Sequence, residues 1–213
     1  MDFNLFSQQL PKIKNLPLPG EASHFKMAPE IRIQFMRERK RIPENSKKAG
    51  VIALFYPDAK LTTHLLLIHR KTYEGVHSNQ IGFPGGKMES NDSDLIETAL
   101  RETHEEVGVP PEEVTLIKSL STVYIPPSNF EVQPYVGLLV NPFSFIPEEA
   151  EVESLVEVPI VDFMDDSKIF TQKLSTSYAT DIDVPAFNLN GYTVWGATAM
   201  MLSEIKELLK QVL

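Results

Sequence analysis

The feature that most constrains this chain is the stretch from Gly85 to Gly108, where a glycine pair leads into one sharply bounded helix. Ile96, Ala99, Leu100, Thr103 and Val107 recur at three- and four-residue spacings within residues 92–107, which puts them on one helical stripe. Asp92 or Ser93 is expected to cap the start, and Gly108 followed by Pro110-Pro111 stops it. A helix with one apolar stripe must bury it, and strand-length runs lie on both sides. Residues 50–56 and 64–69 come before, with Pro57-Asp58-Ala59-Lys60 as the turn between them. Residues 114–119, 132–140, 151–157, 168–177 and 182–189 come after, and Asn190-Gly191 closes the last with a tight-turn signal. A final helix is expected from about residue 194, with Ala199, Leu202, Ile205, Leu209 and Val212 as its stripe. The expected class is α/β, an α/β/α sandwich with a mixed β-sheet between helices.

Residues 1–48 read as an N-terminal helical extension, with helices near residues 3–10 and 29–41, and residues 49–213 as the main domain. The basic residues Arg32, Arg37, Arg39, Lys40 and Arg41 are read as a solvated helix face rather than a substrate contact. A formal net charge of −9 lacks the basic footprint of a nucleic-acid binder, so no nucleic-acid partner is expected. It leaves room for a phosphate-bearing substrate, because metal ions can supply the positive charge. The absence of cysteine excludes disulfides, thiolate metal sites and cysteine nucleophiles. No apolar run approaches the roughly 18 residues a membrane span needs, and no secretory signal pattern opens the chain. The expectation is a cytoplasmic protein without a membrane partner.

On a helix turning 100° per residue, Glu102, Glu105 and Glu106 lie within about a 100° arc. Each like-charge neighbour costs a few tenths of a kcal/mol, and the C-terminal end of the helix dipole disfavours anions. Oxygen-rich, flexible carboxylate clusters are what Mg²⁺ or Mn²⁺ prefer, and a bound cation would reverse the repulsion. An isolated ExxEE would be read as a solvated face. Here a glycine pair precedes it, Arg101 adjoins it and Gly108 closes it, and Gly85-Gly86 lets backbone approach a metal or phosphate closely.

The pattern Gly86…Arg101-Glu102-x-x-Glu105-Glu106-x-Gly108 resembles the signature box of the Nudix family. Gly86 to Arg101 is one residue longer than that box usually allows, so its first glutamate could correspond to Glu89, Asp92 or Ser93, and no role is carried onto any of them. Thr103 stands where the box usually has an aliphatic residue. The longer spacing and the wording FPGGKM…TALRETHEEVG are similar to the coenzyme A pyrophosphatase branch. So are residues 66–70, His77, Gln80 and the helix start Trp195-Gly196-Ala197-Thr198-Ala199. The resemblance covers roughly residues 50–213. Gly75 and Asn79 depart from it, standing where that branch usually has an arginine and a glycine.

The resemblance implies a Nudix-type fold and metal-dependent cleavage of the pyrophosphate bond of coenzyme A or its derivatives, giving 4′-phosphopantetheine and 3′,5′-ADP. ADP-ribose, NADH or another nucleoside diphosphate derivative is the alternative substrate. A non-catalytic Nudix-like binding module is a second alternative, although such modules typically lose box carboxylates and this chain keeps all three with Arg101. Glu102, Glu105 and Glu106 would hold Mg²⁺ or Mn²⁺. Glu105 is the first candidate to deprotonate the attacking water, and Glu131 a second. Arg101 would orient a glutamate. Arg70, His77, Gly85 and Gly86 would contact a small-molecule phosphoanhydride substrate. His104 is read as non-catalytic and Trp195 as a packing residue. A homodimer is left open. Loss of one of three crowded charges is expected to leave stability near normal.

Overall fold

A computed structural model describes residues 1–38, 41–72, 80–175 and 180–213. The first helices are α1 (Phe3–Gln9), α2 (Glu21–His24) and α3 (Glu30–Glu38). Strands β1 (Lys47–Pro57), β2 (Thr63–Arg70), β3 (Ile81–Gly82) and β4 (Gly85–Lys87) lead to α4 (Leu95–Val107). Then come β5 (Thr115–Ser119), β6 (Val123–Ile125), β7 (Phe130–Leu138) and β8 (Val152–Pro159). The chain ends with α5 (Ile160–Met164), β9 (Ile169–Leu174), β10 (Ile182–Leu189), β11 (Tyr192–Trp195) and α6 (Gly196–Leu209).

β1 organises the core. Its run of apolar residues is buried on both faces, which explains why it shows no polar alternation. Ala49, Val51, Ala53 and Phe55 face one hydrophobic cluster, and Ile52, Leu54 and Tyr56 face the other. Antiparallel pairing joins β1 to β2 on one edge, and parallel pairing joins it to β7 on the other, from Lys47↔Phe130 to Phe55↔Leu138. The main sheet runs β3-β2-β1-β7-β5, with β4 beside β1, β6 beside β7 and β8 beside β2. A second sheet runs β11-β10-β9.

Helix α4 covers one face, where Ala99 and Val107 meet Ile52, Leu54, Leu66 and Ile68. Helix α6 covers the other, with Ala199, Leu202, Ile205 and Leu209 buried. This is the α/β/α arrangement with a mixed sheet between helices. Asp94, rather than Asp92 or Ser93, caps α4: its Oδ1 accepts from the backbone of Ile96 and Glu97 at 2.9 Å each. The buried arc also differs from the apolar stripe, since Ile96 is exposed while Thr98 and Glu106 are buried.

Residues 1–38 are built into the core. Phe3, Phe6, Leu10 and Ile13 are buried in the α6-side cluster, and the Phe6 and Phe55 rings lie 5.1 Å apart. Each such side chain contributes roughly 1.5–3 kcal/mol on burial. Glu204 of α6 adds a polar tie, accepting from Gly20 N–H at 3.1 Å and from the Ser121 hydroxyl at 2.6 Å, with His24 Nε2 at 3.2 Å. Among the described residues no helix is long and apolar enough to cross a membrane.

Candidate active site

The site forms where β4 lies between β1 and α4. Gly85 has φ +132°, and a Cβ there would sit 2.4 Å from the Gly50 carbonyl oxygen. Only glycine fits that conformation and that approach. At Gly86 a Cβ would fall 2.3 Å from Glu102 Oε2, so the missing side chain leaves the space that the Glu102 carboxylate occupies.

The three glutamates occupy different environments. Glu106 is buried, its side chain 1% exposed. Its Oε2 accepts the Gly85 N–H at 2.7 Å and its Oε1 accepts Arg70 Nη1 at 2.8 Å. Arg70 Nη2 donates to the Gly85 carbonyl at 2.7 Å, closing a ring of contacts around β4. Burial pushes the Glu106 carboxyl up to about 7, against the opposing pull of Arg70 and the Gly85 amide. Burial also raises Glu102, again against a nearby arginine, Arg101. Glu105 is 58% exposed and reaches Arg101 Nη1 at 2.8 Å.

Arg101 is the hub of this acid cluster. It contacts Glu102 at 3.1 Å and Glu105 at 2.8 Å, and donates to the Lys87 carbonyl at 3.2 Å. It also grips Asp92 with two bonds, Nε to Oδ1 at 2.9 Å and Nη2 to Oδ2 at 3.0 Å. Those bonds, then the Glu89 amide, hold the Asp92 carboxyl well below the usual range. Asp92 is therefore the acid before the helix that engages the arginine, in place of Glu89 or Ser93.

The structure does not draw Glu102, Glu105 and Glu106 into one coordination sphere. Among the described residues no group of three or more His, Cys, Asp or Glu is arranged to hold a metal ion. The physical reason is visible: crowded carboxylates separate toward the cations at hand, Glu106 to Arg70 and the other two to Arg101. The donor set nevertheless fits a hard divalent ion. Glu102 and Glu106 flank two consecutive glycines, all donors are oxygens, and Glu151 adds further negative charge that raises both carboxyls.

A cavity of about 470 Å³ opens from the glycine pair. Arg70, Gly85, Gly86 and Lys87 border it at that end, and its remaining wall is mostly apolar, including Val51, Phe83, Phe130, Val184, Met200 and Met201. Arg70 thus faces the cavity while two of its nitrogens are engaged with Glu106 and Gly85. Trp195 lines the cavity too. Glu131 is paired with Lys48 and with Ser46 Oγ at 3.2 Å. His104 is exposed. His77, Gly75 and Asn79 lie outside the described residues. Arg32 corrects the reading of the basic helix as a solvated face: it is 6% exposed and lines the cavity. Sequence reasoning assigns no site role to Asp92, Glu151 or Arg32. Asp92 lies nine residues before its arginine and could be found only by its ambiguous place in the box, whereas nothing local distinguishes Arg32 from its basic neighbours.

The NUDIX domain matches residues 46–170. The uncharacterized Nudix hydrolase NudL of Yersinia enterocolitica is 36% identical over 150 residues, covering 67% of this chain and 72% of the relative. NudL of Enterobacter sp. is 34% identical over 148 residues, covering 66% and 72%. Among solved structures, the Nudix hydrolase RenU of M. Smegmatis aligns with a TM-score of 0.54 at 16% identity, over 79% of this chain and 88% of its own. A MutT protein from Methanosarcina mazei Go1 aligns at 0.50 with 14% identity, over 79% and 99%. At these identities the two structures speak to fold alone.

Proposed function

This chain belongs to the Nudix family and is a pyrophosphohydrolase, and on that premise we propose that its substrate is coenzyme A, or a thioester or oxidised form of it. Water adds across the phosphoanhydride: its oxygen joins one phosphorus, the bridging P–O bond breaks, and 4′-phosphopantetheine and 3′,5′-ADP leave. The observation that carries this reading is the cavity, whose polar end meets the glycine pair and acid cluster while its remaining wall is mostly apolar. Coenzyme A has that shape of chemistry, a diphosphate continued by a long, weakly polar pantetheine arm. ADP-ribose and NADH are polar along their whole length and gain less from such a wall.

Nudix hydrolases generally use divalent metal ions. In this reading Glu102, Glu105 and Glu106 would hold Mg²⁺ or Mn²⁺, which would supply charge neutralisation for the diphosphate and help activate the attacking water. Glu105, the most exposed of the three and steered by Arg101, takes the proton from the attacking water at a carboxylate oxygen. Arg101 and Asp92 hold Glu102 and Glu105 in place without touching substrate. Arg70 orients Glu106 and presents positive charge to the cavity, where Gly85 and Gly86 let the diphosphate approach the backbone. Phe83 and Trp195 keep water from the arm.

The test is kcat/KM for coenzyme A, ADP-ribose and NADH under identical Mg²⁺ and Mn²⁺ conditions, with products identified by mass. Coenzyme A should lead. A tenfold advantage for either competitor would overturn the substrate while leaving the reaction class standing.

A further inference from the structure

We propose that Arg32 forms a second anion subsite in this cavity, taking a phosphate of the substrate other than those of the scissile diphosphate. For coenzyme A, and resting on the reading above, that group is the 3′-phosphate.

The chain carries 29 acidic and 20 basic residues, yet the described lining of the cavity holds three cations, Arg32, Arg70 and Lys87, and no carboxylate. A mostly apolar wall whose charged side chains are all cations suits an anion, even though Arg70 is already paired with Glu106. Arg70 and Lys87 belong to the end where the diphosphate is placed, since Arg70 bonds the Gly85 carbonyl and Lys87 ends β4.

Arg32 comes from the opposite side. Its Nη2 donates to the carbonyl of Tyr124 on β6, and its guanidinium lies over the Phe35 ring, 5.5 Å from the centroid. From β4 to β6 the sheet takes three steps, β4–β1–β7–β6, or about 14 Å at about 4.8 Å per strand. Arginine side chains reaching inward from both sides shorten that span. The cavity therefore presents two separated cationic ends, which suits a ligand with two separated anionic groups rather than a lone diphosphate.

Position and fixation also favour recognition. Arg32 is 6% exposed, and its carbonyl and ring contacts hold the planar fork in one orientation. A preorganised guanidinium loses little freedom when it meets a phosphate. The competing account is that Arg32 only pins α3 to β6, and the two accounts predict different substrate dependence.

The experiment compares the full-length protein with Arg32→Gln and Arg32→Lys on coenzyme A and on dephospho-coenzyme A, which lacks only the 3′-phosphate. The wild type should favour coenzyme A by about ten- to hundred-fold in kcat/KM, mostly through KM. Arg32→Gln should erase that preference while leaving dephospho-coenzyme A within about twofold. Arg32→Lys should recover part of it. Equal losses on both substrates, or no wild-type preference, overturn the subsite. If the wild type instead prefers NADH to both, the coenzyme A reading has failed, and NADPH against NADH, again differing by one phosphate, decides the subsite. Should Arg32→Gln lose its fold, wild-type thermal shifts with 3′,5′-ADP and AMP decide the same question: a larger shift with 3′,5′-ADP supports the subsite, and equal shifts overturn it.

Discussion

Asp92 and Arg101 meet in a two-point contact, Nε to Oδ1 at 2.9 Å and Nη2 to Oδ2 at 3.0 Å, and through it a loop acid fixes the arginine that steers two glutamates. Asp92→Ala should therefore affect both stability and rate. Removing one partner of a nearly buried pair costs about 3 kcal/mol. In a chain of this size that lowers Tm by roughly 6–12 °C. kcat should fall about tenfold or more as Arg101 loses its anchor. Urea unfolding and steady-state kinetics check both. A variant as stable and as active as the wild type would show the contact to be incidental.

Glu105→Gln and Glu106→Gln should each lower kcat on the order of 10²-fold, because each removes charge from the proposed metal-binding set. Their stabilities should differ. Glu105 is 58% exposed, so its loss changes stability by less than about 0.5 kcal/mol. Glu106 is buried against Arg70 and the Gly85 amide, so its replacement should cost about 2–3 kcal/mol. Near-normal stability is therefore the expected outcome for Glu105→Gln, and a measurable loss the expected outcome for Glu106→Gln. Equal denaturation midpoints would contradict the burial argument.

The two glycines should also separate. Gly86→Ala places its methyl against the movable end of Glu102, so the fold should survive with less than about 1.5 kcal/mol lost. Displacing that carboxylate by about 1 Å should cost up to about a hundred-fold in kcat. Gly85→Ala meets the Gly50 carbonyl and a positive φ, and should lose at least about 3 kcal/mol. Circular dichroism melts beside kinetics distinguish them. Two variants with matching profiles would refute the distinction.

Acid should weaken the tie between residues 1–38 and α6. Burial disfavours the Glu204 charge, but hydrogen bonds from His24 and Ser121 prevail and hold its carboxyl below the ordinary value. A carboxyl depressed by folding stabilises above its unfolded pKa, about 4.3, and loses that stabilisation as pH falls through the folded value. Glu204→Gln should therefore trail the wild type in urea midpoint at pH 7, with the gap narrowing below about pH 4.3. A gap independent of pH would assign the effect to packing.

Legibility followed the range of the interactions. The bounded helix α4 and the hairpin strands β1 and β2 were readable because their patterns are local. β4 was not: Gly-Gly-Lys carries no apolar signal, and it is a strand only because β1 lies alongside it. The carboxylates of the box were readable by type and spacing, whereas the burial of Glu106 depends on Arg70, 36 residues away. Helix α1 is legible in its own residues, but the meeting of Phe6 with Phe55 is not, since no short-range periodicity encodes a contact across the core.

The parallel pairing of β1 with β7 has a temporal consequence. Lys47 is in register with Phe130, 83 positions later (130 − 47), so this central seam closes only after the intervening chain exists. At about 5–20 residues per second, a ribosome takes roughly 4–17 s to supply the partner. During that interval the β2 hairpin can cover one border of β1, while the other stays open along a stretch as sticky as Val-Ile-Ala-Leu-Phe-Tyr. Such a long-range seam favours folding in milliseconds to seconds rather than microseconds. It also makes the nascent chain, more than the finished enzyme, the form whose open strand edge is exposed to wrong pairing.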